Sequence, residues 1–129
     1  MMSASILLVD DELHVAQILG RRLAREGYDI NTARDGVEAL SLIAEHTPDL
    51  VISDLQMPRM DGINLALKLA EDPMLRAVPI ILLTARGHRV NDSDIEQSGI
   101  VRLMAKPFSS QEMVTVVGEV LGGSGREAA

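Results

Sequence analysis

Residues 50–62 read L-V-I-S-D-L-Q-M-P-R-M-D-G, and their reading decides the fold. Leu50, Val51 and Ile52 form a continuous apolar run rather than an alternating one, as expected of a strand covered on both faces. Asp54 follows almost at once. Aspartate is a poor strand residue, so it either terminates the strand or is held at an exposed strand end to do chemistry. Met57 and Pro58 then turn the chain, and Gly62 lets it re-enter as the next segment.

Working outward, similar apolar runs occur at residues 6–9 (ILLV), 80–83 (IILL) and 100–105 (IVRLMA). A weaker strand over 28–33 alternates Tyr28, Ile30 and Thr32 with Asp29 and Asn31, the pattern of a half-exposed edge. Helical spacing fills the gaps. Residues 13–26 place Ala16, Leu19 and Leu23 on one stripe, with Gly27 as a stop; 36–46 carry Val37, Leu40 and Ala44, with Pro48 beyond. Residues 63–71 carry Ile63, Leu65, Ala66 and Leu69. Residues 109–121 open on Ser109 with Glu112 three residues later, a capping box, and continue with Met113, Val116, Val117, Val120 and Leu121. The polar stretch 88–98 predicts a short helix whose only apolar residues are Val90 and Ile95. Strand and helix thus alternate five times, which predicts one parallel sheet with helices on both faces. We expect a single domain over residues 1–121 and a flexible glycine-rich tail or truncated linker over 122–129.

Composition narrows the function. The chain has 129 residues, and Tyr28 and Phe108 are its only aromatic residues, so the core is aliphatic and no base-stacking platform is present. A net charge of −7, from 19 acidic and 12 basic residues, argues against direct nucleic-acid binding. The absence of cysteine excludes disulfides and thiolate metal sites. No apolar run reaches membrane-spanning length and no secretory leader is evident, so a cytoplasmic protein without membrane contact is expected.

In open α/β sheets, sites form beyond the carboxyl ends of the strands. Those ends supply Asp10, Asp11 and Glu12, then Asp54, then Thr84 and Ala85, then Lys106 and Pro107. Each has a plainer reading when taken singly. Asp10 or Asp11 would cap the following helix, Thr84 would be a strand-end hydroxyl, Lys106 a solvated side chain, and Asp54 the start of a turn. Together they change the balance. Three converging carboxylates raise one another's pKa, and a divalent cation with a lysine ammonium would offset the repulsion. An oxygen-only donor set suits Mg²⁺, or Mn²⁺ in its place. His14, His46 and His88 fall in helical segments away from these ends. A cation, a lysine and a hydroxyl around one carboxylate amount to a phosphoryl-transfer apparatus, with Asp54 as nucleophile.

The motifs LLVDDE (7–12), DLQMPRMDG (54–62), IILLTA (80–85) and KPF (106–108) resemble, in order, those of the response-regulator receiver domain of two-component signalling. The resemblance spans about residues 4–121. It implies a three-layer, doubly wound (βα)5 fold of the flavodoxin-like type, with strand order 2-1-3-4-5. By position it implies Asp54 as phospho-acceptor, and a metal site of Asp10, Asp11, Asp54 and the Gln56 backbone carbonyl. Thr84 would bind the phosphoryl oxygen, Ala85 would leave room for it, and Lys106, before a cis Pro107, would pair with it. Gln56 and Arg86 would tune the phosphoryl lifetime, and long side chains at both positions favour a longer one. The implied partners are a sensor histidine kinase or histidine phosphotransfer protein and an output protein or domain, with the receiver itself a monomer or weak dimer. Two features depart from the pattern: Leu103 stands where the family usually carries a switching aromatic, and Gly99-Ile100 stands where Gly-Ala is commoner. Three rival readings compete with this one. A phosphohydrolase would want an acid at Gln56, a dinucleotide-binding domain a glycine-rich first turn, and a pseudo-receiver would use the fold only for docking.

Overall fold

The computed structural model describes residues 3–57, 59–85 and 89–122. Its elements run β1 (Ser5–Val9), α1 (Leu13–Arg25), β2 (Asp29–Ala33), α2 (Gly36–Glu45), β3 (Leu50–Asp54), α3 (Gly62–Ala70), β4 (Ile80–Thr84), α4 (Asp92–Glu96), β5 (Ile100–Ala105) and α5 (Ser110–Gly122). The five strands pair in parallel in the order β2-β1-β3-β4-β5. The chain winds outward in both directions from β1 and β3, which creates a crevice beyond their carboxyl ends.

Successive strand residues feed opposite cores. Leu7, Val9, Val51, Ile80 and Leu82 join Ala39 and Ile43 of α2 and Leu65, Ala66 and Leu69 of α3. Ile6, Leu8, Leu50, Ile52, Ile81 and Leu83 join Leu19 and Leu23 of α1 and Met113, Val117 and Leu121 of α5. Every residue of β1, β3 and β4 is buried, as the continuous apolar runs require. The capping box at α5 is realised in both directions, Ser109 N–H donating to Glu112 Oε1 and Glu112 N–H to Ser109 Oγ, each at 3.0 Å.

Two expectations need correction. The buried stripe of α2 is Gly36, Ala39 and Ile43, whereas Val37 and Ala44 face outward. Apolar side chains nearly encircle this helix, so periodicity alone does not fix its face. Within the polar 88–98 stretch the short helix is found as expected, the five-residue α4, with no buried residue. Asp54, expected at an exposed strand end, is the last residue of β3 and only 7% exposed.

β5 carries a feature invisible in the sequence. Its register shifts between Ile80 and Ile81 of β4, which pair with Ile100 and Arg102, so Val101 is an extra bulged residue. Ile100 therefore joins the α2–α3 core while Met104 joins the α1–α5 core. Past the bulge, Leu103 pairs with Leu82 and shares its face, the one α4 would have to cover. A helix of five residues does not cover it, and Leu103 is 44% exposed.

Of the expected tail, Gly122 belongs to α5 and residues 123–129 lie outside the described residues, as do Pro58, Arg86 and His88. Among the described residues no helix is long and apolar enough to cross a membrane.

Candidate functional site

Backbone hydrogen bonds fix the strand ends that carry the polar residues. Asp10 N–H donates to Ala33 O (3.0 Å), Leu55 N–H to Leu83 O (2.8 Å) and Lys106 N–H to Thr84 O (2.8 Å). The loop after Asp54 is closed by Gly62 N–H donating to Leu55 O at 2.8 Å. Gly62 is obligatory there, because a Cβ would stand 2.6 Å from the Asp54 carbonyl oxygen and from Leu82 Cδ1.

On this frame the carboxylates of Asp10, Asp11 and Asp54 converge, with one oxygen of each within 4.8 Å of the others. Lys106 Nζ lies 3.2 Å from Asp54 Oδ1, its side chain about a third exposed. Asp11, Glu12, Asp54, Gln56, Ala85 and Lys106 line a cleft of about 250 Å³. Asp10 lies behind it, nearly buried at 6% exposure. Thr84 is buried at the end of β4 beside this cleft, with its carbonyl bound to Lys106 N–H. The Lys106–Pro107 peptide is cis and Pro107 is exposed. Leu103 lies back on β5, away from the lining, and Arg86 falls outside the described residues.

Asp10 does not cap α1. The cap position is Glu12, which makes no side-chain cap bond, while Asp10 Oδ1 accepts the Glu12 N–H at 2.8 Å. Its Oδ2 is buried without a hydrogen-bond partner. Burial chiefly, and the Asp54 carboxylate after it, push the Asp10 pKa from the usual 3.8 up to about 6 against the pull of the Glu12 N–H and Lys106. A buried carboxylate oxygen without a donor costs free energy, and a hard cation among these oxygens would relieve it. The donor set therefore fits Mg²⁺ or Mn²⁺.

Two contributors escaped the sequence reading. Glu12 lines the cleft, although only its neighbours were given roles. Asp35, at 3% exposure, accepts Glu38 N–H at the N-terminus of α2 and pairs with Arg59 from the loop beyond Gln56. The spacing of Asp35 and Glu38 signals a cap, but nothing local signals a partner 24 residues away.

A parallel sheet ordered 2-1-3-4-5, with paired carboxylates and a lysine at its switch point, defines a flavodoxin-like protein of the CheY type. The comparisons specify it further. The chain belongs to the response regulator receiver domain family, whose profile matches residues 6–118. It is 40% identical over 120 residues to the Transcriptional regulatory protein SrrA of Staphylococcus aureus, an alignment covering 93% of this chain and 48% of that protein. The chain thus spans about half the length of the curated relatives it matches. Among solved structures, a putative response regulator from Chloroflexus aurantiacus superposes with a TM-score of 0.86 at 34% identity, covering 94% of this chain and 99% of that one. Vibrio cholerae chemotaxis protein CheY4 gives 0.86 at 28% identity, covering 93% and 100%.

Proposed function

We propose that this receiver accepts a phosphoryl group on Asp54 from the phosphohistidine of a sensor kinase or histidine phosphotransfer protein. The observation that carries the reading is the convergence of three carboxylates within 4.8 Å, with Lys106 at 3.2 Å from Asp54. An Asp54 oxygen forms the new O–P bond as the P–N bond of the donor breaks, and the leaving imidazole keeps the electron pair and takes up a proton. Lys106 pairs with the negative charge that builds on the phosphoryl oxygens. The Thr84 hydroxyl donates to one of those oxygens, and Ala85 leaves space for them. The backbone-paired strand ends keep Asp54 in place, so little reorganisation accompanies attack.

Asp10, Asp11, Asp54 and the Gln56 carbonyl would hold Mg²⁺, which when bound neutralises charge on the transferring group. Gln56 and Arg86 would tune the lifetime of the phosphoryl state, and long side chains at both positions favour a longer one. The protein acts on itself as a switch rather than turning over a substrate. Phosphorylation brings about −1.5 to −2 charge to Asp54, which biases two packings of the β4–α4–β5 region. The receiver occupies residues 1–121, works in the cytoplasm as a monomer or weak dimer, and signals to an output protein or domain. The similarity to a transcriptional regulatory protein supports an output that acts on transcription.

Intact mass after incubation with Mg²⁺ and a small acyl phosphate tests the reading. One added phosphoryl group, absent with chelator and absent in Asp54→Asn, is expected. No addition to the wild type would favour a docking-only receiver.

A further inference from the structure

The loop that carries Gln56 is fastened at a second point by residues outside the acidic cleft. Arg59 has φ 68°, the left-handed region that residues bearing a side chain adopt only when their surroundings hold them there. Glycine would take that backbone freely, and what arginine adds there is a guanidinium. Its Nη2 reaches the Oδ2 of Asp35, the same carboxylate whose Oδ1 caps α2 by accepting Glu38 N–H at 2.8 Å. The Glu38 N–H first, and the guanidinium second, hold the Asp35 carboxyl below its usual pKa. Next to Arg59, Met60 packs on Gly36, where an added Cβ would stand 2.8 Å from Met60 Cγ and Sδ. Two consecutive loop residues thus seat on the first turn of α2, while Gly62 N–H closes the loop onto Leu55 O.

We propose that the Arg59–Asp35 ion pair is a positioning device for the metal-binding face of the loop, holding Gln56 so that its carbonyl is presented to the cleft. The proposal rests on the reading of that cleft as a divalent-cation site. Arg59 and Asp35 touch neither metal nor phosphoryl group. They act through the loop whose neck Gly62 N–H closes onto Leu55 O and whose far side Arg59 and Met60 seat on α2.

Mg²⁺ titration of the full chain, followed by the amide resonances of Leu55 and Gln56, tests this. Arg59→Ala removes the pair, and Asp35→Asn removes its charge while keeping a side chain that caps α2 as well as aspartate does. Each single variant is expected to bind Mg²⁺ about tenfold more weakly, the low end of the loss seen when an outer partner of a metal ligand is removed. The double variant should be no weaker than either single one, because one device has been removed in each case. Affinities within about twofold of wild type, or losses that add in the double variant, overturn the proposal. If the wild-type chain takes up no Mg²⁺, the reading of the cleft fails on that count alone. Hydrogen exchange of the Gly62 amide then decides the positioning role: faster exchange in both variants supports it, and unchanged exchange overturns it.

Discussion

β3 and β5 belong to the same sheet, yet they are built to opposite standards. β3 lies between β1 and β4 with all five residues buried, and ends at Asp54 in a loop closed by Gly62 and anchored by Arg59. β5 is an edge strand with a bulge at Val101 and only Ile100 and Met104 buried. It is flanked by a helix of five residues that buries none of them. Close packing resists small displacements, so a nucleophile is best held on the β3 side. Sparse packing lowers the cost of local rearrangement, so a conformational response is best placed on the β5 side. Lys106 joins the two, one residue after β5 and 3.2 Å from the Asp54 carboxylate.

Substitutions break this contrast in graded steps. Leu82→Ala on β4, at a fully buried position, should cost about 3 kcal/mol in urea unfolding. Gly62→Ala should cost about 2 kcal/mol, because the added Cβ meets the backbone carbonyl of Asp54, which cannot swing aside.

Asp10→Asn should act in the opposite direction. The fold disfavours the ionised Asp10 carboxylate, so wild-type stability relative to this variant is greatest below about pH 4 and falls as pH rises through about 6. At pH 8 with chelator, the variant should therefore be more stable by about 1–2 kcal/mol, and at pH 4 that advantage should vanish. The same titration should weaken Mg²⁺ binding about tenfold between pH 7 and pH 5, because the ligand must be ionised. Leu103→Ala should cost under about 1 kcal/mol, since its side chain is already half in water. A Leu103→Ala cost equal to that of Leu82→Ala would erase the contrast between the two strands.

The acidic cleft was legible in the sequence because its side chains lie within a few residues of the ends of apolar runs, and the runs mark the strands. Leu50, Val51 and Ile52 identify β3, and Asp54 needs only to be counted from them. The α5 start was equally legible, since Ser109 and Glu112 bond each other at a spacing of three. Long-range geometry was not legible. Whether α2 turns Val37 or Ala39 inward depends on the sheet it meets. The Val101 bulge depends on the register with β4, and the pairing of Arg59 with Asp35 depends on two loops arriving at one place. Nor was the burial of Asp54 legible: its place at a strand end predicts exposure, whereas the closed loop beyond it keeps it nearly buried.

The central claim is that the carboxylate fixed at the end of β3 is the one that carries the phosphoryl group. Reductive trapping of the acyl phosphate, followed by peptide mass analysis of the Mg²⁺-treated full chain, reads the modified residue directly. Modification confined to Asp54 is the predicted result; modification at Asp10, Asp11 or any other carboxylate, with Asp54 intact, would contradict it.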